Sequence, residues 1–242
     1  MDFLLGFELE FQSALTMSRT REALRDKFGF RFQIDPGPRN YNFWNIVRDG
    51  SIRACAPRDW DRHPMEVISP VFDYEVGIEY IRRLFDWVEA TEGGTNETTG
   101  FHIGLNIKDA DIREINRTKL IMLLDEDDIL DTFGRGQNEY CRSHKASVSS
   151  ILADEFPLPW SEKLINHTSQ TLGKYQTVNF LKLDRPTPYL EFRAMGGRHY
   201  HRRFNEIRKT IDHFKECVDA AMGTGQEDEY RRRLETFRHL RN

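Results

Sequence analysis

"LLGFELEF", residues 4–11, alternates as a strand does, yet carries two glutamates where a buried strand carries apolar side chains. Side chains at i and i+2 of a strand project to the same face, with Cα atoms about 7 Å apart. Glu8 and Glu10 therefore face one way, and Phe7, Leu9 and Phe11 the other. Two like charges this close are costly unless a cation or an arginine lies between them. Taken alone, the pair is also explained by a solvent-facing edge strand, so the remaining segments decide.

Three of them repeat the arrangement. In "YLEFRAM" (189–195), Glu191 and Arg193 share a face opposite Leu190, Phe192 and Ala194. In "GFHIGLNI" (100–107), His102, Gly104 and Asn106 oppose Phe101, Ile103 and Leu105. In "MEVISP" (65–70), Glu66 is on the face of Ile68. Together they describe a sheet with one side packed on helices. The other side carries carboxylates, an imidazole and an arginine. Carboxylate oxygens with one imidazole suit Mg²⁺ or Mn²⁺, and no thiolate spacing points to structural zinc. Magnesium keeps waters and shares phosphate oxygens with its protein site. An arginine two residues from a metal-binding glutamate offers a planar fork to a phosphoryl group. Neither GxxxxGK[ST] nor GxGxxG occurs, so a P-loop or Rossmann site is excluded.

The rest of the chain supplies the frame. Residues 18–28 read as a short helix with Ser18 as N-cap, "FRFQI" (30–34) as a strand and "DPGPRN" (35–40) as a turn. Asp49-Gly50 between two strand-like runs in 43–54 is a hairpin signal. Residues 74–90 place Ile78, Ile81, Leu84, Phe85 and Val88 at helical spacing. Residues 114–130 read as helical, 145–175 as one or two helices around Pro157 and Pro159, and "QTVNFLKL" (176–183) as a strand. The tail is helical through Phe204, Ile207, Ile211, Phe214, Val218 and Ala221, with a second helix over 227–240. Strands with helices inserted irregularly indicate an α+β class, an antiparallel or mixed sheet with helices on one face. No compositional break divides the 242 residues, so one domain, 1–242, is expected, with 203–242 as helices packing on it.

With 31% charged residues and a net charge of −4, bulk charge gives no argument for a nucleic-acid binder. Cys55, Cys141 and Cys217 are odd in number and widely spaced, which suits a reducing compartment. No apolar run is long enough to span a bilayer, and the N-terminus lacks a signal-peptide pattern. A soluble cytoplasmic protein without a membrane partner is expected.

Taken in order, "GFELEF", "WNIVRDGSI", "MEVISP", "GFHIGLNI", "RGQNEYC", "TVNFL" and "LEFRAMGG" resemble the amidoligases of the glutamine synthetase and glutamate–cysteine ligase superfamily. The resemblance implies a curved antiparallel sheet with the site on its concave face. It also implies ATP-dependent ligation of a carboxylate to an amine through an acyl phosphate. By similarity, Glu8, His102 and Glu191 would hold the metal bridging the ATP phosphates, and Glu10 and Glu66 a second one nearer the acceptor. Arg193 would stabilise the transferred phosphoryl group and Arg135 would contact phosphate. Glu66, Arg193 and Arg135 would thus be catalytic, with Arg193, Arg135 and Asn179 on the nucleotide side. Relatives often carry HxH in the third motif. Gly104 replaces the second histidine and would leave a space on the polar face.

The substrates implied are small-molecule, peptide or polymer carboxylates and amines. The run "HYHRR" (199–203) could line the mouth and attract an acidic substrate or a nucleic-acid phosphate, though nucleic acid is not the favoured partner. Two other readings stand beside the ligase: a non-catalytic nucleotide- or peptide-binding member of the same fold, and a metal-dependent hydrolase. Asn179 is also explained as a packed structural asparagine, Asp49 as a plain turn residue, and Arg231–Arg233 as a solvated helix face.

Overall fold

The computed structural model describes residues 1–33, 42–55, 62–145 and 173–239. The strands are Phe3–Ser13 (β1), Asn45–Arg48 (β2), His63–Ile68 (β3), Phe72–Asp73 (β4), Gly100–Ile107 (β5), Val178–Asn179 (β6) and Leu190–Gly196 (β7). They form a seven-stranded sheet in the order β2-β3-β1-β5-β7-β6, with β4 pairing the start of β1. Every pairing is antiparallel. The helices are Met17–Phe28 (α1), Tyr74–Ala90 (α2), Arg117–Leu123 (α3), Glu126–Thr132 (α4), Phe204–Met222 (α5) and Glu227–His239 (α6). The class is α+β.

The odd positions of β1, from Phe3 to Phe11, are buried in one hydrophobic cluster. Helix α2 lies on them, and Gly77 sets how closely: a Cβ there would stand 2.6 Å from Leu5 Cδ2. Trp87 meets Phe11 edge-on at 6.1 Å, and Phe85 meets Phe101 at 5.2 Å. Phe214 of α5 stacks on Phe192 of β7 at 4.3 Å. Each such side chain contributes about 1.5–3 kcal/mol when fully buried. One face of the sheet therefore holds the fold together, and the other is free to carry charge.

Several expected elements differ. Helix α1 is capped by Thr16, whose hydroxyl accepts from the Arg19 N–H at 3.5 Å; Ser18 already lies inside the helix. Phe32 makes an isolated parallel bridge to Trp44 rather than a strand, and the expected turn at 35–40 lies outside the described residues. Asp49-Gly50 does not turn a hairpin. Neither residue has the positive φ that a tight hairpin turn requires, and β2 pairs with β3 instead. The helix expected over 114–130 breaks into a 3₁₀ turn at Ile112–Glu114, then α3 and α4. Asn116 causes one break by capping α3, its side chain accepting from the Lys119 N–H at 2.9 Å. The strand expected over 176–183 stops at Asn179, whose side chain accepts from the Leu181 N–H at 3.2 Å and opens a 3₁₀ helix, Phe180–Asp184. Residues 146–172, most of the segment read as helical around the two prolines, lie outside the described residues.

Buried Glu126, at the start of α4, ties the next segment down. Its carboxylate accepts from the Ser143 hydroxyl at 3.1 Å, the His144 N–H at 3.0 Å, the Lys145 N–H at 3.1 Å and the Thr177 hydroxyl. The fully buried His144 donates from Nε2 to the Val178 carbonyl at 2.8 Å. No described helix is long and apolar enough to cross a membrane.

Candidate active site

Strand register sets the polar face. Glu8 stands opposite both His102 and Ile68, and Glu10 opposite Glu66. A second row runs Gly6, Gly104, Glu191, Asn179 across β1, β5, β7 and β6. Between β5 and β7 the register shifts: Ile103 pairs with Phe192 but Phe101 with Met195. Two residues, Arg193 and Ala194, thus oppose His102, which is a β-bulge. It leaves Arg193 Nη1 3.4 Å from His102 Nδ1 and 3.3 Å from Glu191 Oε2.

The imidazole of His102 sits between two acids, with Nδ1 3.1 Å from Glu8 Oε2 and Nε2 3.5 Å from Glu10 Oε1. Ligand atoms of Glu8, Glu66 and His102 all lie within 4.8 Å of one another, a spacing that fits a divalent cation. Glu10 is oriented by the Gly100 N–H, which donates to Oε2 at 2.6 Å. Gly100 has to be small here, because a Cβ would stand 2.7 Å from His102 Nε2. Behind it, the Tyr200 hydroxyl donates to the Glu10 carbonyl at 2.6 Å, and burial holds its pKa well above the ordinary range.

Cations gather on the β6–β7 side. Glu191 Oε2 accepts from Asn179 Nδ2 at 2.7 Å and faces Arg193, while Oε1 lies 3.3 Å from Lys182 Nζ. Arg135, 3% exposed, donates from Nε to Cys141 Sγ at 3.2 Å and from Nη1 to the Thr99 carbonyl at 2.7 Å. It passes over Gly196, whose φ of 137° and lack of a side chain make room for the guanidinium. Arg135 makes no ion pair among the described residues.

Glu8, Glu10, Glu66, His102, Arg135, Asn179, Glu191 and Arg193 all line one polar cavity of about 380 Å³. Every site residue expected from sequence is therefore brought to one place. Their grouping differs from the expected partition: Glu66 joins Glu8 and His102, while the Glu191 carboxylate is engaged by Lys182, Arg193 and Asn179. Asp49 and Ser51 line the same cavity, with Asp49 Oδ1 accepting from Ser51 N–H and Oγ at 2.8 and 2.7 Å. A second, largely apolar cavity of about 520 Å³ lies alongside, lined by Gly6, Ser69, Val71, Gly104, Asn106 and Tyr189 among others. The two share Glu8, His102 and Glu191 as a common wall.

Gly104 lines the apolar cavity, where a Cβ would stand 3.1 Å from Tyr189 Cδ2. One expectation changes. "HYHRR" lines neither cavity. His201 bridges Thr95 Oγ1 at 2.9 Å and Glu89 Oε2 at 3.0 Å, Arg202 pairs with Glu89, and Arg203 reaches the Thr132 carbonyl at 2.9 Å. Of the basic run on α6, Arg233 is more than a solvated charge, since it reaches the Leu123 carbonyl at 3.1 Å and Asp125 at 2.5 Å.

Sequence reasoning missed Lys182 and Tyr189. A strand reading puts Lys182 on the face opposite Asn179, whereas a 3₁₀ helix eclipses i and i+3 and brings both to Glu191. The pair Asn179 and Lys182 at that spacing was the available signal.

The sequence profile of the family described as "Putative amidoligase enzyme" matches residues 2–212, from before β1 into α5. The chain belongs to the amidoligase family. The matched span contains every residue named above as lining the two cavities, and the family's character is that of an amide-forming ligase. No curated protein matched the chain in a sequence search.

Proposed function

We infer that this amidoligase is an ATP- and Mg²⁺-dependent (or Mn²⁺-dependent) carboxylate–amine ligase working through an acyl phosphate. It would act in the cytoplasm as one catalytic domain, on a glutamine-synthetase-like sheet whose concave face is the polar one. The observation that carries this reading is convergence. Acids from β1, β3 and β7, an imidazole from β5, and guanidinium groups from β7 and the loop after α4 line a single cavity. A surface of unrelated charges has no reason to do so.

The fit to a divalent cation rests on the donor set: Glu8, Glu66 and His102 close together, with Glu10 and Glu191 flanking. When bound, such a cation neutralises and aligns the triphosphate. The apolar cavity suits the nucleoside, with its phosphates reaching the shared wall of Glu8, His102 and Glu191. The polar cavity takes the acceptor carboxylate. Its oxygen attacks the γ-phosphorus as the bond to ADP breaks, and Arg193 and Arg135 balance the charge on the moving phosphoryl group. The amine nitrogen then attacks the acyl carbon, the C–O bond to phosphate breaks, and the amide and inorganic phosphate leave.

Two features support a ligase over a metal-dependent hydrolase or a silent binder. A hydrolase needs a cation and water but not two phosphate-facing guanidinium groups. A decayed site would not keep every carboxylate. The test is phosphate release from Mg²⁺–ATP with a panel of amino-acid and peptide carboxylates and amines. Glu8→Gln and Glu191→Gln should lose about 100-fold or more with their melting curves intact. Undiminished metal-dependent turnover in either variant would contradict the assignment.

A further inference from the structure

The β6–β7 side of the polar cavity carries more positive charge than its own acid balances. Glu191 is one carboxylate among Lys182, Arg193 and Arg135. Arg193 Nε is buried and has no hydrogen-bond partner among the described residues. Arg135 is nearly sealed from water, and among the described residues its guanidinium has only a thiol and a carbonyl as partners. Cations taken out of water require an opposite charge, and buried N–H groups require an acceptor. What this side lacks is an anion with several acceptor oxygens.

Lys182 is held where that anion would cross between the cavities. Its ammonium lies 3.3 Å from Glu191 Oε1, on the shared wall, and 5.5 Å from the centroid of the Tyr189 ring. Tyr189 lines the apolar cavity and Lys182 the polar one, so the pair marks their junction. The Lys182 side chain is 20% exposed, enough to be reached by a ligand. A lysine is a compact charge on a flexible stem, able to follow a moving group where a rigid fork is not.

We propose that Lys182 is a catalytic residue, an ammonium that grips the γ-phosphoryl group of a nucleoside triphosphate and stays with it onto the acceptor carboxylate. Glu191 is its holding partner before a nucleotide binds. The role rests on the ligase reading. In the transfer a carboxylate oxygen–phosphorus bond forms, the phosphorus–oxygen bond to the diphosphate breaks, and Lys182 keeps its proton throughout. A lysine that served only as a counter-ion to Glu191 would not distinguish a diphosphate from a triphosphate.

That difference is the test. Calorimetric titration of the full chain, with Mg²⁺, compares ADP with the non-hydrolysable β,γ-imido analogue of ATP. In Lys182→Met, affinity for the imido analogue should fall about tenfold or more while that for ADP stays within about twofold, one charge-assisted contact being lost. Lys182→Arg should recover part of the loss. Equal weakening of both nucleotides, or none, overturns the role. Should Lys182→Met not fold, Lys182→Gln keeps a donor to Glu191 and is judged by the same comparison. A wild-type chain that binds neither nucleotide sinks the ligase reading and this role together, whereas loss of selectivity confined to the variants bears on Lys182 alone.

Discussion

Gly196→Ala isolates the backbone's part in presenting Arg135. Gly196 ends β7 at φ 137°, a region L side chains rarely enter. An added methyl would stand 2.5 Å from the Thr99 carbonyl oxygen and 2.8 Å from Gly100 Cα, and would press on Arg135 Nη1. The arginine tip could move aside, but the two backbone atoms belong to β5 and the loop before it. Strained φ/ψ costs about 1–3 kcal/mol, and overpacking about 1–3 kcal/mol more, so the substitution should destabilise by about 2–6 kcal/mol. With a urea m-value of about 3 kcal/mol/M, the midpoint should drop by roughly 0.7–2 M. Urea unfolding followed by circular dichroism reads this directly. Arg135→Met is the control, since it removes the guanidinium without touching the backbone and should shift the midpoint less. A Gly196→Ala midpoint equal to wild type would refute the claim that Gly196 is there to let the arginine through.

Glu126→Ala should destabilise by about 3–5 kcal/mol, because it strands several buried donors at once, including the His144 and Lys145 N–H groups; a melting-temperature change of under about 2 °C would show that the segment holds without it. His144 gives a pH signature. Burial lowers its pKa below the usual value, so the unfolded chain binds a proton that the folded chain refuses. The stability this group provides is complete above its unfolded pKa of about 6.5 and is lost as pH falls toward the lowered folded value. His144→Gln, which keeps a donor for the Val178 carbonyl, should lose less melting temperature than wild type between pH 7.5 and 5.5. Parallel curves would count against that account.

Legibility followed the strength of local pattern. The helix at Tyr74–Ala90 and the strand at Gly100–Ile107 were readable because long runs of apolar residues keep one period throughout. The residues of the candidate site stood out for the same reason: a carboxylate on the polar face of an otherwise apolar strand breaks an expected pattern. Sequence failed where a side chain competes with the backbone. Asn116 and Asn179 each accept a main-chain N–H and end an element that hydrophobic spacing would have continued. It also failed where position depends on a partner strand. Nothing local in "LEFRAM" announces a bulge, because the extra residue exists only relative to His102. The Tyr189 ring over Gly104 is a contact of the same kind.

Glu8, His102 and Glu191 each present atoms to two chambers at once. A molecule that turns any of these side chains from one chamber reshapes the lining of the other. Such coupling is reciprocal by thermodynamic necessity: whatever factor a ligand in one chamber imposes on affinity in the other, the second ligand must impose on the first. The order in which the two arrive then cannot alter the free energy of the ternary complex, only the route by which it forms.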